Sequence, residues 1–208
     1  MADKGMREYL PARILSVIFH PLLLPTYMMV ILLSTKAYFA LVIPTKARLL
    51  ILAVVFVSTF LLPVIIFFLM LKKQIIRSFS MESKEERIYP LLVTGVFFYL
   101  TYHLLRQVEV SQVYYLFLLG STMLVIGCML ISFYWKISLH MTGMGGVCGT
   151  LAGLAINFGL PYVVPLVVSI VIAGLTGYAR LRLDAHRPAQ IYTGFLMGAV
   201  VMFLLFSL

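Results

Sequence analysis

The chain has 208 residues, 62% of them hydrophobic and 11% charged, which leaves too little polar surface to cover a water-exposed globule of this size. Sixteen Lys and Arg against seven Asp and Glu give a formal charge of +9; set among long apolar runs, that excess points to anionic headgroups or phosphate and away from nucleic acid. The two cysteines, Cys128 and Cys148, both sit inside apolar runs, so the residues needed for a disulfide framework or a zinc cluster are missing.

A helix needs about 20 apolar residues to cross a bilayer core. Seven segments approach that length with little or no charge: 13–34, 49–71, 90–106, 113–135, 141–160, 162–179 and 190–207. The first contains His20, Pro21 and Pro25 and follows a charged stretch with no small-residue cleavage site, so it reads as a retained helix and not as a signal peptide. Between the second and third segments, the 72–89 stretch interleaves Lys and Arg with Ile75, Ile76, Phe79 and Met81, the build of a segment lying in the headgroup plane. Ser83 and Glu86 have capping-box spacing, which predicts a helix start there. The turn around Gly159, Leu160 and Pro161 predicts a tight hairpin between the fifth and sixth segments. The expected fold is therefore all-α: a polytopic membrane helix bundle of about six or seven transmembrane helices, forming a single membrane domain over residues 1–208. The expected location is the bacterial inner (cytoplasmic) membrane.

Glycines recur every four residues at Gly145, Gly149 and Gly153, and again at Gly194 and Gly198. Small residues at this interval let helix backbones approach closely, and that packing drives association inside a membrane, where apolar burial between helices contributes little. Packing within the chain is the preferred reading, with a homo-oligomer as the alternative.

Counting crossings places the N-terminus, the 72–89 loop, the 136–140 junction and the 180–189 loop on one face. Most of the basic residues share that face, against Lys36, Lys46, Arg48 and Arg106 opposite. Two readings stand: the positive-inside rule, which would make the face cytoplasmic, or a phosphate site. Orientation stays open between them. Three clusters meet on this face: Arg77, Lys84, Arg87, Tyr89 and Pro90; Lys136, Ser138 and His140; Arg180, Arg182, Asp184, His186, Arg187 and Gln190. Ionisable groups beside membrane helices are expensive to place, so their convergence marks a candidate site. His140 and His186 each have basic neighbours, whereas His20 and His103 stand alone and are set aside as structural or interfacial. Two imidazoles among fixed cations suit phosphoryl transfer: one attacks phosphorus, the other protonates the departing oxygen, and the cations hold the remaining oxygens. A basic rim that only binds headgroups is the plainer alternative.

In these residues the chain resembles the integral-membrane branch of the type 2 phosphatidic acid phosphatase superfamily. That family is marked by K-x(6)-R-P, then P-S-G-H, then S-R-x(5)-H-x(3)-D. Here the last motif reads Ala179-Arg180, then His186 and Gln190 at the family spacings, with Gln replacing the Asp. The middle motif reads Ile137-Ser138-Leu139-His140, keeping Ser and His but not Pro or Gly. In the first, Arg87 and Pro90 are separated by two residues and Ser80 stands seven before Arg87, so Lys84 or Arg77 would replace the family lysine. The resemblance spans residues 77–198. It implies a membrane lipid phosphatase hydrolysing a lipid phosphomonoester or pyrophosphate through a phosphohistidine on His186, with His140 as general acid. Arg180, Arg87, Lys84 and Ser138 would bind the phosphoryl oxygens, helped by backbone amides near Met141 to Gly143. Gln190 would orient the nucleophile without supplying charge; Asp184 is the nearest carboxylate in sequence. No metal and no cofactor is implied, and the partner is a phosphorylated membrane lipid. The alternative function is a family member that binds or translocates an anionic phospholipid without cleaving it.

Overall fold

The structure, a computed structural model, describes the backbone of residues 2–77 and 84–207 and the side chains of 9–77 and 86–207. Every regular element among the described residues is helical: α1 (Ala2–Ile18), α2 (Leu24–Ser34), a single turn α3 (Tyr38–Leu41), α4 (Thr45–Phe56), a π-turn (Val57–Leu61), α5 (Leu62–Lys72), α6 (Lys84–Arg106), α7 (Gln112–Ser132), α8 (Leu139–Phe158), α9 (Val163–Arg182) and α10 (Pro188–Leu205). The fold is an all-α polytopic bundle. Six of the described helices are long and apolar enough to cross a membrane, with α4, the π-turn and α5 forming one continuous 28-residue rod. At about 1.5 Å per residue that rod exceeds the roughly 30 Å hydrocarbon core and can cross it tilted.

The first predicted span is broken. α1 stops at Ile18 and α2 starts at Leu24, with the chain between them closed by the Leu23 N–H donating to the His20 carbonyl at 2.8 Å. Pro21 lacks the N–H a continuous helix would need there, and its ring disfavours helical geometry at His20, so the apolar run cannot continue as one rod.

The chain divides into two compact units: Met1–Leu24 with Lys136–Leu208, and Pro25–Trp135. In the second, α6 packs along α7 and also meets the α4–π–α5 rod. Pro63 cannot donate a backbone hydrogen bond, and the π-turn precedes it. Side chains fill in around the irregularity: the Ser58 hydroxyl donates to the Val54 carbonyl at 2.6 Å, and Thr101 of α6 donates to Ser58 Oγ at 2.7 Å. Arg48 closes the 35–44 connection, its guanidinium donating to the carbonyls of Ala40 (2.7 Å), Ile43 (2.9 Å) and Leu33 (3.1 Å). In the first turn of α6, the buried Glu86 carboxylate accepts the Arg77 N–H at 3.0 Å, and Ile76 is fully buried. Ser83, Phe79 and Met81, on which the capping-box and headgroup-plane expectations rest, lie outside the described residues.

In the first unit α8 lies between α9 and α10, and α1 packs on α9. Some 67% of the most apolar window of α8 is buried, against 28% for α9 and α10, which makes α8 the core helix. The glycine strips account for its pairing with α10. A Cβ on Gly198 would overlap the Thr142 carbonyl oxygen and lie 2.7 Å from the Gly146 nitrogen; one on Gly149 would overlap the Ala199 carbonyl; one on Gly145 would overlap that of Phe195. These strips are spent on contact within the chain, backbone against backbone.

Candidate functional site

The site starts at the end of α9. Arg180 occupies the last turn, where the helix dipole favours a cation. Its Nη1 donates to the Ser16 hydroxyl at 3.4 Å, while its Nε is buried without a hydrogen-bond partner. Arg182, two residues on, is exposed, its guanidinium carbon 5.8 Å from the centre of the Tyr9 ring. The helix then closes in a Schellman turn: Ala185 N–H donates to the Arg180 carbonyl at 3.1 Å and Asp184 N–H to that of Leu181 at 2.9 Å. Asp184 holds the left-handed position of that turn (φ 51°) and its side chain is exposed. Its role is in the turn; the side chain bonded to His186 is that of Gln190.

α10 begins at Pro188, whose missing N–H costs nothing in a first turn. Gln190, the third helical residue, turns its Oε1 back to accept the Arg187 N–H at 3.0 Å and meets His186 Nδ1 at 3.2 Å. The first contact fixes the amide: an N–H needs an acceptor, so the oxygen and not the NH2 faces Arg187. A hydrogen on His186 Nδ1 lets the ring share that oxygen, and Nε2 of the neutral ring then carries the lone pair. The Lys136 backbone carbonyl is a second acceptor beside the ring, and a neutral imidazole has one N–H to give. Burial, Arg180 and Lys136 nevertheless outweigh these acceptors and hold the His186 pKa down at about 4, so the ring is neutral near pH 7.

The start of α8 joins this turn through the Ser138 N–H, which donates to the Gln190 carbonyl at 3.4 Å. Ser138 is the N-cap of α8 and is fully buried, yet its hydroxyl caps nothing and has no hydrogen-bond partner. The Thr142 N–H already donates to the Ser138 carbonyl. The amides left over at this N-terminus are therefore those of Leu139, His140 and Met141, not the predicted Met141 to Gly143, because α8 starts two residues earlier than hydropathy indicates. His140 Nε2 lies 3.0 Å from the Ser16 carbonyl, which can only accept, so the ring carries its proton on Nε2. His140 is within electrostatic reach of Arg180, His20 and His186.

His20 completes the group. Its ring stands edge-on to that of His140, centroids 5.5 Å apart at 80°, and its Nδ1 accepts the Leu22 N–H at 3.3 Å. The structure thus gathers His140, His186, Arg180, Gln190 and Ser138 in one unit and adds His20 and Ser16, which sequence reasoning passes over. The signal was present as a histidine between two apolar runs, followed at once by proline. Lys84 and Arg87, at the start of α6, belong to the other unit; Arg87 is half-buried there, and the Lys84 side chain lies outside the described residues. His103 is also in that unit, exposed and bonded to Gln107 Nε2 at 3.0 Å. Among the described residues, no three His, Cys, Asp or Glu side chains are grouped as metal ligands.

In comparison with known proteins, no family model, no curated protein and no solved structure matches this chain.

Proposed function

We propose that the chain is a membrane lipid phosphatase that cleaves a phosphomonoester or pyrophosphate through a phosphohistidine on His186. One observation carries the reading: Gln190 meets His186 at Nδ1 and so orients the ring in the field of an arginine whose Nε has no hydrogen-bond partner. Nε2 attacks phosphorus, a P–N bond forms and the P–O bond to the lipid breaks. His140 Nδ1 takes a proton from the protonated phosphate of the incoming substrate and passes it to the departing oxygen, since His140 Nε2–H is engaged by the Ser16 carbonyl. Water then attacks phosphorus, gives its proton to His140 Nδ1, and the P–N bond breaks to release phosphate. Arg180 and Lys136 balance the phosphoryl charge, with Ser138 Oγ as a further donor. Arg87 and Lys84 remain proposed ligands from the resemblance alone.

Purified protein in lipid nanodiscs, with no metal added, is expected to release phosphate from at least one of phosphatidic acid, phosphatidylglycerophosphate, a polyprenyl pyrophosphate or lipid A. His186→Ala is expected to abolish release. Silence on all four overturns the reading. A second reading has its own observation: Gln190 supplies orientation but no charge, as in a protein that binds an anionic phospholipid without cleaving it. Lipid binding that survives His186→Ala, falls in Arg180→Ala and accompanies no phosphate release favours that reading.

A further inference from the structure

We propose that His20 is a positioning residue of this site, and that the segment from Ser16 to Leu24 is part of the machinery because it dictates which nitrogen of His140 works. The inference rests on the phosphatase reading for its chemistry, but on contacts alone for its geometry. Three come from this segment. The Ser16 carbonyl meets His140 Nε2 at 3.0 Å, the Ser16 hydroxyl accepts from Arg180 Nη1 at 3.4 Å, and the His20 ring stands edge-on to His140 at 5.5 Å. The His20 contact depends on the break at Pro21: had α1 run on as one rod, the residues after Ile18 would follow helical geometry instead of turning at His20.

Each ring in the cluster has one nitrogen committed. His186 gives Nδ1 to Gln190, His20 accepts at Nδ1 from Leu22, and His140 gives Nε2 to Ser16. A carbonyl cannot donate, so His140 is held in the Nε2–H form when neutral and gains or loses its working proton at Nδ1. The carbonyl alone does not fix the ring, which can swing about a single hydrogen bond. The edge-on contact with His20 removes that freedom, as aromatic pairs of this geometry do. The turn that carries His20 is seated on the first residues of α8: a Cβ on Gly143 would lie 2.5 Å from Leu24 Cδ1 and 3.9 Å from Pro21 Cβ. His140 is therefore held from its own helix and from the N-terminal turn at once.

The decisive measurement is nitrogen NMR of protein labelled at histidine with 15N in nanodiscs, since the chain has only four histidines. In the unaltered protein His140 is expected as a single neutral Nε2–H species; the Nδ1–H species, or exchange between the two, overturns the proposal without any variant. In His20→Ala the His140 signals are expected to shift or broaden, whereas His20→Phe, which keeps a ring edge, restores them. Unchanged His140 signals in His20→Ala overturn it as well. With a lipid substrate, His20→Ala is expected to lower kcat about 10- to 100-fold with KM within about twofold, the mark of a misplaced group rather than lost binding, and His20→Phe to recover most of it. If no substrate is turned over, the phosphatase reading fails by itself, and the NMR result still decides the role of His20.

Discussion

Replacing Gln190 by glutamate puts a negative charge where the amide oxygen now sits. The two side chains have the same length, so a carboxylate there can accept both the Arg187 N–H and His186 Nδ1–H, the latter at 3.2 Å. His186 starts from a pKa of about 4, set by burial first and by Arg180 next. An opposite charge at this range raises such a value by roughly 1 to 3; taking about 2 for a half-buried, partly screened site brings His186 to about 6, worth roughly 2.7 kcal/mol to the charged ring. In the proposed reaction the ring becomes cationic when Nε2 bonds to phosphorus, so part of that stabilisation reaches the transition state, and a rate gain of about 10- to 100-fold is expected. Gln190→Asp falls about one C–C bond, roughly 1.5 Å, short of the same oxygen position and is expected to gain less. The assay pairs an NMR titration of His186 with the pH dependence of phosphate release. An unmoved or lowered midpoint refutes the contact; a raised midpoint with no gain in rate refutes the nucleophile. The sign for stability follows as well. With a folded value near 4 against 6.5 unfolded, the unfolded chain binds more protons between the two. Stability present above about pH 6.5 is therefore lost as pH falls towards 4, by about 2 kcal/mol from this residue after solvent screening. Gln190→Glu should remove most of that loss.

Four further substitutions test the scaffold and the turn beside the site. Gly198→Ala forces a Cβ into the Thr142 carbonyl and is expected to cost about 1–3 kcal/mol in unfolding from detergent micelles, whereas Gly174→Ala, with nothing within 4 Å of its Cβ, should be neutral or slightly stabilising. Arg48→Lys keeps the charge but cannot reach three carbonyls with one ammonium, so a loss of about 2 kcal/mol is expected, read as faster proteolysis of the 35–44 connection. Asp184→Gly suits the left-handed position and is expected to leave phosphate release unchanged; a large loss would show that the Asp184 carboxylate serves the reaction after all.

Hydropathy reads the long helices of this chain because a membrane span needs length and apolarity more than any particular partner. The segment 49–71 falls within the Thr45–Lys72 rod, and 162–179 coincides with most of α9. The same averaging hides the break at His20, since a window of that width passes over Pro21 and Pro25 without registering that α1 ends at Ile18 and α2 starts at Leu24. His20 was set aside because sequence offers it no neighbour. Its partner His140 is 120 positions away, and the N-terminal stretch shares a unit with the C-terminal half only through tertiary packing. The start of α8 is hidden for a related reason: its N-cap Ser138 and the first-turn His140 are polar residues that a hydropathy rule assigns to the loop.

The contact between His186 and Gln190 was legible, and for a reason that separates shape from chemistry. Position 190 is the third residue of α10, where an acceptor side chain that reaches back to Arg187 N–H stabilises the helix start whatever the neighbouring ring does. The acceptor at residue 190 therefore has a capping role of its own, and it orients the ring at no further cost. Charge is the separate ingredient: a carboxylate would both cap and stabilise the cationic ring, while the amide caps and orients only. Gln190→Leu removes both functions and should loosen the helix start together with His186, whereas Gln190→Glu restores charge without moving an atom of the turn. Comparing the two variants by His186 titration and by helix stability measures each contribution in one protein. If the leucine variant loses only helix stability while His186 keeps its position and its protonation, the ring is held by the Lys136 carbonyl instead, and position 190 has no part in the reaction.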